Sequence, residues 1–131
     1  MSHWNKARIG KQYAFSASHQ LSGPAFGECH PCSRLHGHNY LVEVEVRGDV
    51  NPEKGIIVDF HYLDGIVKPL IEHLDHRHLN DIMEDIPTAE NIAKWIMDNA
   101  GVKILYSVKV WETPKCWAQV VNADGLYRVE E

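Results

Sequence analysis

The sequence predicts an α+β fold in which two helices lie between pairs of antiparallel strands and cover one face of the sheet. Three observations support this prediction. Alternating apolar and polar residues indicate strands toward both ends of the chain, and an amphipathic stripe with helical spacing lies between them. The chain has 131 residues, 44% of them apolar, which suffices for one packed core. We therefore expect a single domain over residues 1–131 with the element order ββ(β)ααββ.

The first part of the chain predicts two strands and a shorter third one. Residues 9–17 form a strand-like run, and a loop rich in glycine and proline follows it. In residues 42–46 valine alternates with glutamate, which gives this strand one apolar and one charged face. A turn-rich connector at 48–55 leads to the apolar residues 56–58, which are predicted as the short third strand.

Two helices are predicted in the middle of the chain. Asp59 is the expected N-cap of the first, whose apolar residues recur with i, i+3, i+4 and i+7 spacing over 63–74. Pro69 lies inside this stripe and is expected to kink or restart the helix. The second helix is predicted to begin after Thr88, its N-cap, and to stop at Gly101.

The end of the chain returns to strand patterning. Apolar residues alternate over 104–110, and residues 117–121 predict a last strand. Glu112 continues the apolar face of the first of these strands. A carboxylate in that position is costly unless it binds something, so Glu112 is a candidate binding residue. A glutamate that simply reaches solvent at the strand end is the alternative interpretation.

Composition and charge exclude several classes of function. The net charge of -5 argues against nucleic acid as a partner, because a nucleic-acid binder needs a basic surface. No apolar run approaches the length of a membrane span, so we expect no membrane anchor. Three cysteines, an odd number, and the lack of an apolar segment near Met1 argue against a secreted disulfide framework. We therefore predict a cytoplasmic protein.

Histidines suggest a metal site. His36 and His38 flank one glycine at the start of the second predicted strand, so their side chains should lie on one face. Such a pair alone is more often a surface or core feature. His19, however, ends the first strand and could come beside both. Three imidazoles without a fourth protein ligand are typical of a catalytic zinc site, in which zinc acts as a Lewis acid.

The cysteines Cys29 and Cys32 form a C-x-x-C pattern that allows three interpretations. A structural zinc site would need a second such pair, and a thioredoxin-like site would need a βαβ setting, which this loop lacks. In the third interpretation one cysteine is a base or nucleophile, near a metal and near Arg34, both of which favour the thiolate. Cys116 is interpreted as an ordinary buried or exposed thiol.

Asp75 and His76 follow the first predicted helix. An aspartate and a histidine in a loop at a helix end can orient and tune a reactive group nearby. Caps of the helix are the alternative interpretation, and spacing alone favours it.

The chain resembles the 6-pyruvoyl-tetrahydropterin synthase family in five motifs that follow one another in the family's order. They occupy residues 15–19, 32–40, 74–76, 87–91 and 111–113, so the resemblance covers nearly the whole chain. Within the family the chain looks most like the bacterial 6-carboxy-tetrahydropterin synthase branch, whose forms of the cysteine motif and of residues 57–60 and 74–81 it shares.

The resemblance assigns roles to the residues already singled out. It implies Zn²⁺ held by three histidines, a catalytic cysteine with an Asp and His as partners, a glutamate that anchors the pterin, and two further residues lining the pterin pocket. The implied zinc ligands in this sequence are His19, His36 and His38, and the implied catalytic residues are Cys32, Asp75 and His76. Glu112 would anchor the pterin, and Thr88 and Glu90 would line its pocket.

The resemblance also implies a reaction. The expected substrate is 7,8-dihydroneopterin triphosphate, which this branch converts to 6-carboxy-5,6,7,8-tetrahydropterin with loss of triphosphate and acetaldehyde, for queuosine and 7-deazapurine biosynthesis. The alternatives are a 6-pyruvoyl-tetrahydropterin synthase, which keeps the side chain, and a non-catalytic zinc- or pterin-binding module. The implied fold is the tunnelling fold, in which trimers stack into homohexamers with active sites at subunit contacts.

Two residues depart from the family's pattern. Cys29 is not part of it, and we predict that Cys29 is dispensable, with a reversible disulfide to Cys32 as the alternative hypothesis. Glu28 is similar to a glutamate in relatives whose chemistry is directed toward aldol-type cleavage for folate synthesis.

Overall fold

The computed structural model describes residues 6–23, 26–27, 30–101 and 104–122. Their regular elements are five strands, two α-helices and two short 3₁₀ turns. The strands are β1 (Lys6–His19), β2 (His36–Asp49), β3 (Arg77–His78), β4 (Ser107–Thr113) and β5 (Cys116–Val121). The helices are α1 (Phe60–Leu74) and α2 (Ala89–Asn99), and the 3₁₀ turns are Pro31–Ser33 and Leu79–Asp81. The predicted α+β class with two helices is confirmed.

One five-stranded sheet has the strand order β3-β1-β2-β4-β5. β1 and β2 pair antiparallel along their whole length, which sets His19 opposite His36. β2, β4 and β5 continue the antiparallel pairing. The short β3 runs parallel to β1, so the sheet is antiparallel except at this edge.

The core lies between the sheet and the two helices. Alternate residues of the strands point into it, and the valines at 42, 44 and 46 are fully buried, as their alternation with glutamate predicts. Each helix contributes one apolar stripe, consisting of Leu63, Val67, Ile71 and Leu74 on α1 and Ala89, Ile92, Ala93 and Ile96 on α2. Full burial of each large aliphatic side chain stabilises the fold by about 1.5–3 kcal/mol. No helix in the described ranges is long and apolar enough to cross a membrane.

The predicted helix caps are confirmed. Asp59 Oδ1 accepts a hydrogen bond from the His61 backbone N–H at 2.8 Å, and Thr88 Oγ1 accepts one from Asn91 N–H at 3.2 Å. Gly101 follows α2 with φ of +103°, a conformation that strongly favours glycine. The caps fix where both helices begin, and Thr88 thereby fixes the chain segment just before α2.

One detail of the sequence prediction is wrong, and one of two predicted alternatives is excluded. Residues 56–58 do not form a strand, because the chain there closes a loop: Asn51 N–H donates to the Ile56 carbonyl at 2.8 Å, and only Ile57 is buried. Pro69 does not restart the first helix, which is continuous across it. Pro69 and Gly65, four residues earlier, are both exposed, so water can bond the carbonyl that proline leaves without a donor.

Asp64 ties α1 to β1. Its carboxylate accepts hydrogen bonds from Lys11 Nζ at 2.6 and 2.7 Å and from the Tyr13 hydroxyl at 2.6 Å, and its side chain is 14% exposed. The hydrogen bonds from Lys11 and then Tyr13 hold the pKa of Asp64 below its usual range. The native state therefore favours the ionised carboxylate more than the unfolded chain does.

Asp64→Asn is expected to lower the free energy of unfolding at neutral pH. A carboxyl group whose folded-state pKa is depressed stabilises the fold above its unfolded pKa of about 3.9, and this contribution is lost as the pH falls through the folded pKa. The difference between wild type and variant should therefore shrink in acid. Urea unfolding across a pH series measures it, with Asp98→Asn on the exposed side of α2 as the control. If wild type and Asp64→Asn differed in the free energy of unfolding by the same amount at all pH values, the ionised carboxylate of Asp64 would not be the stabilising group.

Candidate metal centre and neighbouring cavities

Three histidines converge at the end of the β1–β2 pair, as the sequence predicts. The strand register places His19 opposite His36, and His38 lies two residues further along the same face. One ring nitrogen from each histidine can be chosen so that all three lie within 4.8 Å of one another. His19 is fully buried, and the other two are half-buried. These residues are positioned to bind a metal ion.

Backbone carbonyls fix the protonation of two of the rings. His19 Nδ1 lies 2.7 Å from the Pro87 carbonyl oxygen, and His36 Nδ1 lies 2.7 Å from the Arg34 carbonyl oxygen. A carbonyl oxygen only accepts, so each Nδ1 carries the proton, and each Nε2 keeps a free lone pair. His38 Nε2 is buried and has no hydrogen-bond partner. The three Nε2 atoms are therefore available as ligands.

This arrangement needs a cation. His19 Nε2 and His36 Nε2 lie 2.8 Å apart, so their lone pairs repel each other. Protonation of these rings is unfavourable, because burial lowers the pKa of His19 to about 4 and also lowers the pKa of His38. A metal ion bound here would satisfy all three nitrogens. Among the described residues no cysteine or carboxylate joins the group, so a metal ion bound here would keep a position for water or a substrate.

Glu112 lies on the face of β4 that the pattern of its strand predicts. It shares the inward face of Val108 and Val110 on β4 and is half-buried. Its negative charge acts to raise the pKa of His38, against the larger effect of burial, and adds to burial in raising the pKa of Tyr40. The carboxylate is therefore close enough to influence the histidine cluster electrostatically.

Thr88, Glu90 and Glu112 line one cavity of about 260 Å³. The side chains of Phe26 and Trp117 supply aromatic surface to it. Thr88 reaches the cavity because it caps α2, and Glu90 reaches it from the first turn of that helix. The structure thus brings together all three residues that the family resemblance assigned to ligand binding.

Asp75 and His76 form a pair at the end of α1. Asp75 Oδ1 accepts a hydrogen bond from Ser16 N–H at 2.9 Å and lies 2.9 Å from His76 Nδ1. The Ser16 hydrogen bond, followed by the interactions with His76, lowers the pKa of Asp75. His76 has φ of +57°, its side chain is 83% exposed, and it lines an open cleft of about 490 Å³ with Gly37 and His38. The aspartate is thus fixed on β1 while the imidazole faces outward.

Cys32 lies in the 3₁₀ turn at Pro31–Ser33 and is a free thiol. Its backbone N–H donates to His30 Nδ1 at 3.0 Å, and its carbonyl accepts from Leu21 N–H at 2.8 Å. It lines neither the cavity of Glu112 nor the cleft of His76. Within one copy of the chain, the cleft that contains His76 thus does not contain Cys32. Cys29 and Glu28 lie outside the described residues.

Sequence reasoning missed two groups at this site. Tyr40 is buried, with its hydroxyl 3.2 Å from His19 Nδ1, and the alternation that links His36 to His38 would have found it. The Pro87 carbonyl is the other. A backbone carbonyl leaves no mark in a side-chain pattern, so the sequence held no signal for it.

Comparisons with known proteins agree on one family. The model of the family described as 6-pyruvoyl tetrahydropterin synthase matches residues 8–123. A provisionally named 6-carboxy-5,6,7,8-tetrahydropterin synthase of Archaeoglobus fulgidus is 39% identical over 114 residues, which is 86% of this chain and 93% of that protein. The dihydroneopterin monophosphate aldolase of Pyrococcus furiosus is 38% identical over 80% of this chain and 84% of its own length.

Eukaryotic relatives are similar as well. The 6-pyruvoyl tetrahydrobiopterin synthase of Drosophila melanogaster is 34% identical, over 97% of this chain and 84% of that protein. The solved structure of Caenorhabditis elegans 6-pyruvoyl tetrahydropterin synthase matches with a TM-score of 0.83 at 26% identity, over 94% of this chain and all of that one. The fold expected for a single chain from the sequence resemblance is thereby confirmed.

Proposed function

Because the chain belongs to the 6-pyruvoyl tetrahydropterin synthase family, we propose that it is a lyase that acts on 7,8-dihydroneopterin triphosphate. We propose 6-carboxy-5,6,7,8-tetrahydropterin as the product, formed with uptake of one water and release of triphosphate and acetaldehyde, as a step toward queuosine and other 7-deazapurines. The observation that carries the proposal is the cluster of three histidines positioned to bind a metal, with Glu112 near enough to His38 to act on its pKa and lining a cavity with Thr88 and Glu90.

His19, His36 and His38 would hold Zn²⁺. Three neutral imidazoles with an open position are the donor set of catalytic zinc, and the lone pairs left on His19 Nε2 and His36 Nε2, with the buried, unpartnered Nε2 of His38, support this assignment. When bound, zinc supplies Lewis acidity to the hydroxyl groups of the substrate side chain. The protein's own contribution is to hold three neutral rings with their Nε2 atoms facing one point.

Glu112 would anchor the pterin. A carboxylate accepts two parallel hydrogen bonds from the ring N–H and the amino group of a pterin, as it does from a guanidinium. Thr88 and Glu90 line the same cavity from the start of α2 and would flank the bound ring. This arrangement would direct the side chain of the substrate toward the histidines.

Cys32, Asp75 and His76 would move protons during the rearrangement. The Ser16 hydrogen bond keeps Asp75 ionised, and an ionised aspartate supports a proton on His76 Nδ1. Cys32 is a free thiol and would react as the thiolate, the nucleophilic form of cysteine.

A neighbouring copy of the chain would complete the active site, because one copy keeps Cys32 out of the cleft that holds His76. Among the described strands, β5 has a neighbour on one side only, and β1 pairs with β3 only at Ala17 and Ser18. Such edges present unpaired N–H and C=O groups that another copy can bond. We therefore propose a homo-oligomer, a hexamer built from two trimers, with active sites at the subunit contacts.

Product analysis tests the function directly. The full chain, loaded with zinc and given 7,8-dihydroneopterin triphosphate, should release acetaldehyde and carboxytetrahydropterin. A pyruvoyl product would instead identify the second candidate, 6-pyruvoyl-tetrahydropterin synthase, which the similarity to the Drosophila melanogaster protein favours. The absence of any conversion would leave only a zinc- or pterin-binding module.

Replacing Glu112 with glutamine is expected to weaken pterin binding by about 10- to 100-fold. The amide is almost the same size, but it cannot accept two parallel hydrogen bonds as a charged group, and bonds to charged groups contribute about 1.5–3 kcal/mol. Isothermal titration calorimetry with neopterin measures the change. Glu53→Gln, in the exposed loop before α1, is the matched control. An unchanged neopterin affinity in Glu112→Gln would rule out the anchoring role.

A further inference from the structure

The protonation of His19 depends on where the Pro87 carbonyl points. That oxygen lies 2.7 Å from His19 Nδ1, although 68 residues separate the two in sequence. While the contact holds, Nδ1 must carry the ring proton, and Nε2 keeps its lone pair toward His36 and His38. The Pro87 carbonyl therefore decides which nitrogen of His19 can serve as a ligand.

A competing group contacts the same nitrogen. The Tyr40 hydroxyl lies 3.2 Å from His19 Nδ1, and a hydroxyl, unlike a carbonyl, can donate. If the Pro87 carbonyl moved away, Tyr40 could donate to an unprotonated Nδ1, and the ring proton would then sit on Nε2. A protonated Nε2 has no lone pair for a metal. The Pro87 carbonyl thus admits only one tautomer of His19, whereas the Tyr40 hydroxyl admits both.

Asn91 holds the segment that carries the Pro87 carbonyl. The Ile86 carbonyl accepts two hydrogen bonds: one from Thr88 N–H at 2.7 Å, which closes a three-residue turn centred on Pro87, and one from Asn91 Nδ2 at 2.8 Å. Asn91 N–H also donates to Thr88 Oγ1 in the helix cap. The side chain of Asn91 therefore ties the turn to the first turn of α2, which fixes the direction of the Pro87 carbonyl.

We propose that Asn91 is a positioning residue that, through the Pro87 carbonyl, keeps the proton of His19 on Nδ1 and so keeps Nε2 available to a metal. The effect of Asn91 on the tautomer of His19 follows from the contacts described above, whereas its effect on metal affinity rests on the proposed zinc site. Groups that orient a metal-binding histidine directly typically affect metal affinity 10- to 100-fold. Asn91 acts one contact further out, so we expect an effect of about tenfold.

Two variants test the proposal. Asn91→Asp keeps the shape of the side chain but loses the N–H donor, and a carboxylate in the first turn of α2 is favourable for the helix. Asn91→Ala loses the same donor without adding charge. Asn99→Asp is the matched control, because Asn99 Nδ2 makes the same type of bond, 2.8 Å to the Trp95 carbonyl, at the opposite end of α2. A carboxylate there opposes the helix dipole, so the control loses stability without touching His19.

Long-range ¹H–¹⁵N correlation spectra of the metal-free protein near neutral pH report the tautomer of His19. Wild type and Asn99→Asp should show a proton on Nδ1, and both Asn91 variants should show a substantial share on Nε2. Zinc affinity, from competition with a chromophoric chelator, should fall about tenfold in the Asn91 variants only.

An unchanged His19 tautomer in both Asn91 variants would overturn the proposal, and so would an altered tautomer with unchanged zinc affinity. If wild type bound no zinc, the proposed metal site would fail, but the spectra would still decide the role of Asn91. A loss of stability alone, equal in the Asn91 variants and the control, would show that Asn91 is merely structural.

Discussion

Replacing Cys32 with alanine is expected to lower kcat by a factor of about 10²–10⁴, the usual contribution of a positioned proton-transfer group. The fold and the zinc content should not change. The two hydrogen bonds that hold the turn around Cys32 use its backbone N–H and carbonyl, which alanine retains. The thiol also contributes no ligand to the histidine cluster. The expected result is therefore a folded, zinc-loaded protein that has lost turnover.

Steady-state kinetics and metal analysis on the same preparation check this prediction. Cys32→Ser is the matched variant, since a hydroxyl is nearly as large as the thiol but ionises far less readily. We expect it to be as inactive as the alanine variant. If either variant turned over substrate at the wild-type rate, Cys32 would not be the proton-transfer group. Loss of zinc together with activity would place the thiol at the metal instead.

Replacing His38 with alanine is expected to abolish both zinc binding and turnover. The remaining two nitrogens, on His19 and His36, cannot hold the metal against exchange, so purified protein should contain close to no zinc. Ligand binding to the native state stabilises it, so a chelator should lower the unfolding temperature of wild type but not of the variant. Metal analysis and thermal unfolding, each with and without chelator, measure these effects.

His61→Ala is the control for this experiment. His61 is exposed in the first turn of α1 and is not among the three clustered histidines, so its loss should leave zinc content, chelator sensitivity and turnover unchanged. Retention of one zinc ion per chain in His38→Ala would contradict the proposed ligand set. In that case the orphaned Nε2 of His38 would need another explanation.

The sequence predicts those parts of the site that follow from strand geometry. His36 and His38 share a face because strands have a period of two, and His19 meets them because the preceding strand pairs with theirs. Glu112 is predicted for the same reason, as the continuation of an apolar face. Both helix caps are predicted because Asp59 and Thr88 stand where an N-cap must.

Other features could not be predicted because local patterns do not encode them. Residues 56–58 are as apolar as a strand, but whether they pair depends on the hydrogen bonds of the loop around them. The two-residue strand β3 is too short to show alternation. The separation of Cys32 from the His76 cleft is a tertiary property, and its proposed resolution involves a second copy of the chain.

The contact between His19 and Pro87 links the proposed metal site to the order in which the fold assembles. His19 and His36 are 17 residues apart, whereas His19 and Pro87 are 68 apart. Closing the longer loop costs about 1.2 kcal/mol more chain entropy, because the cost grows with the logarithm of loop length. The β1–β2 hairpin can therefore gather its histidines before α2 docks and selects the tautomer of His19. Zinc captured by the early hairpin would be held loosely and would tighten only when the second helix arrives.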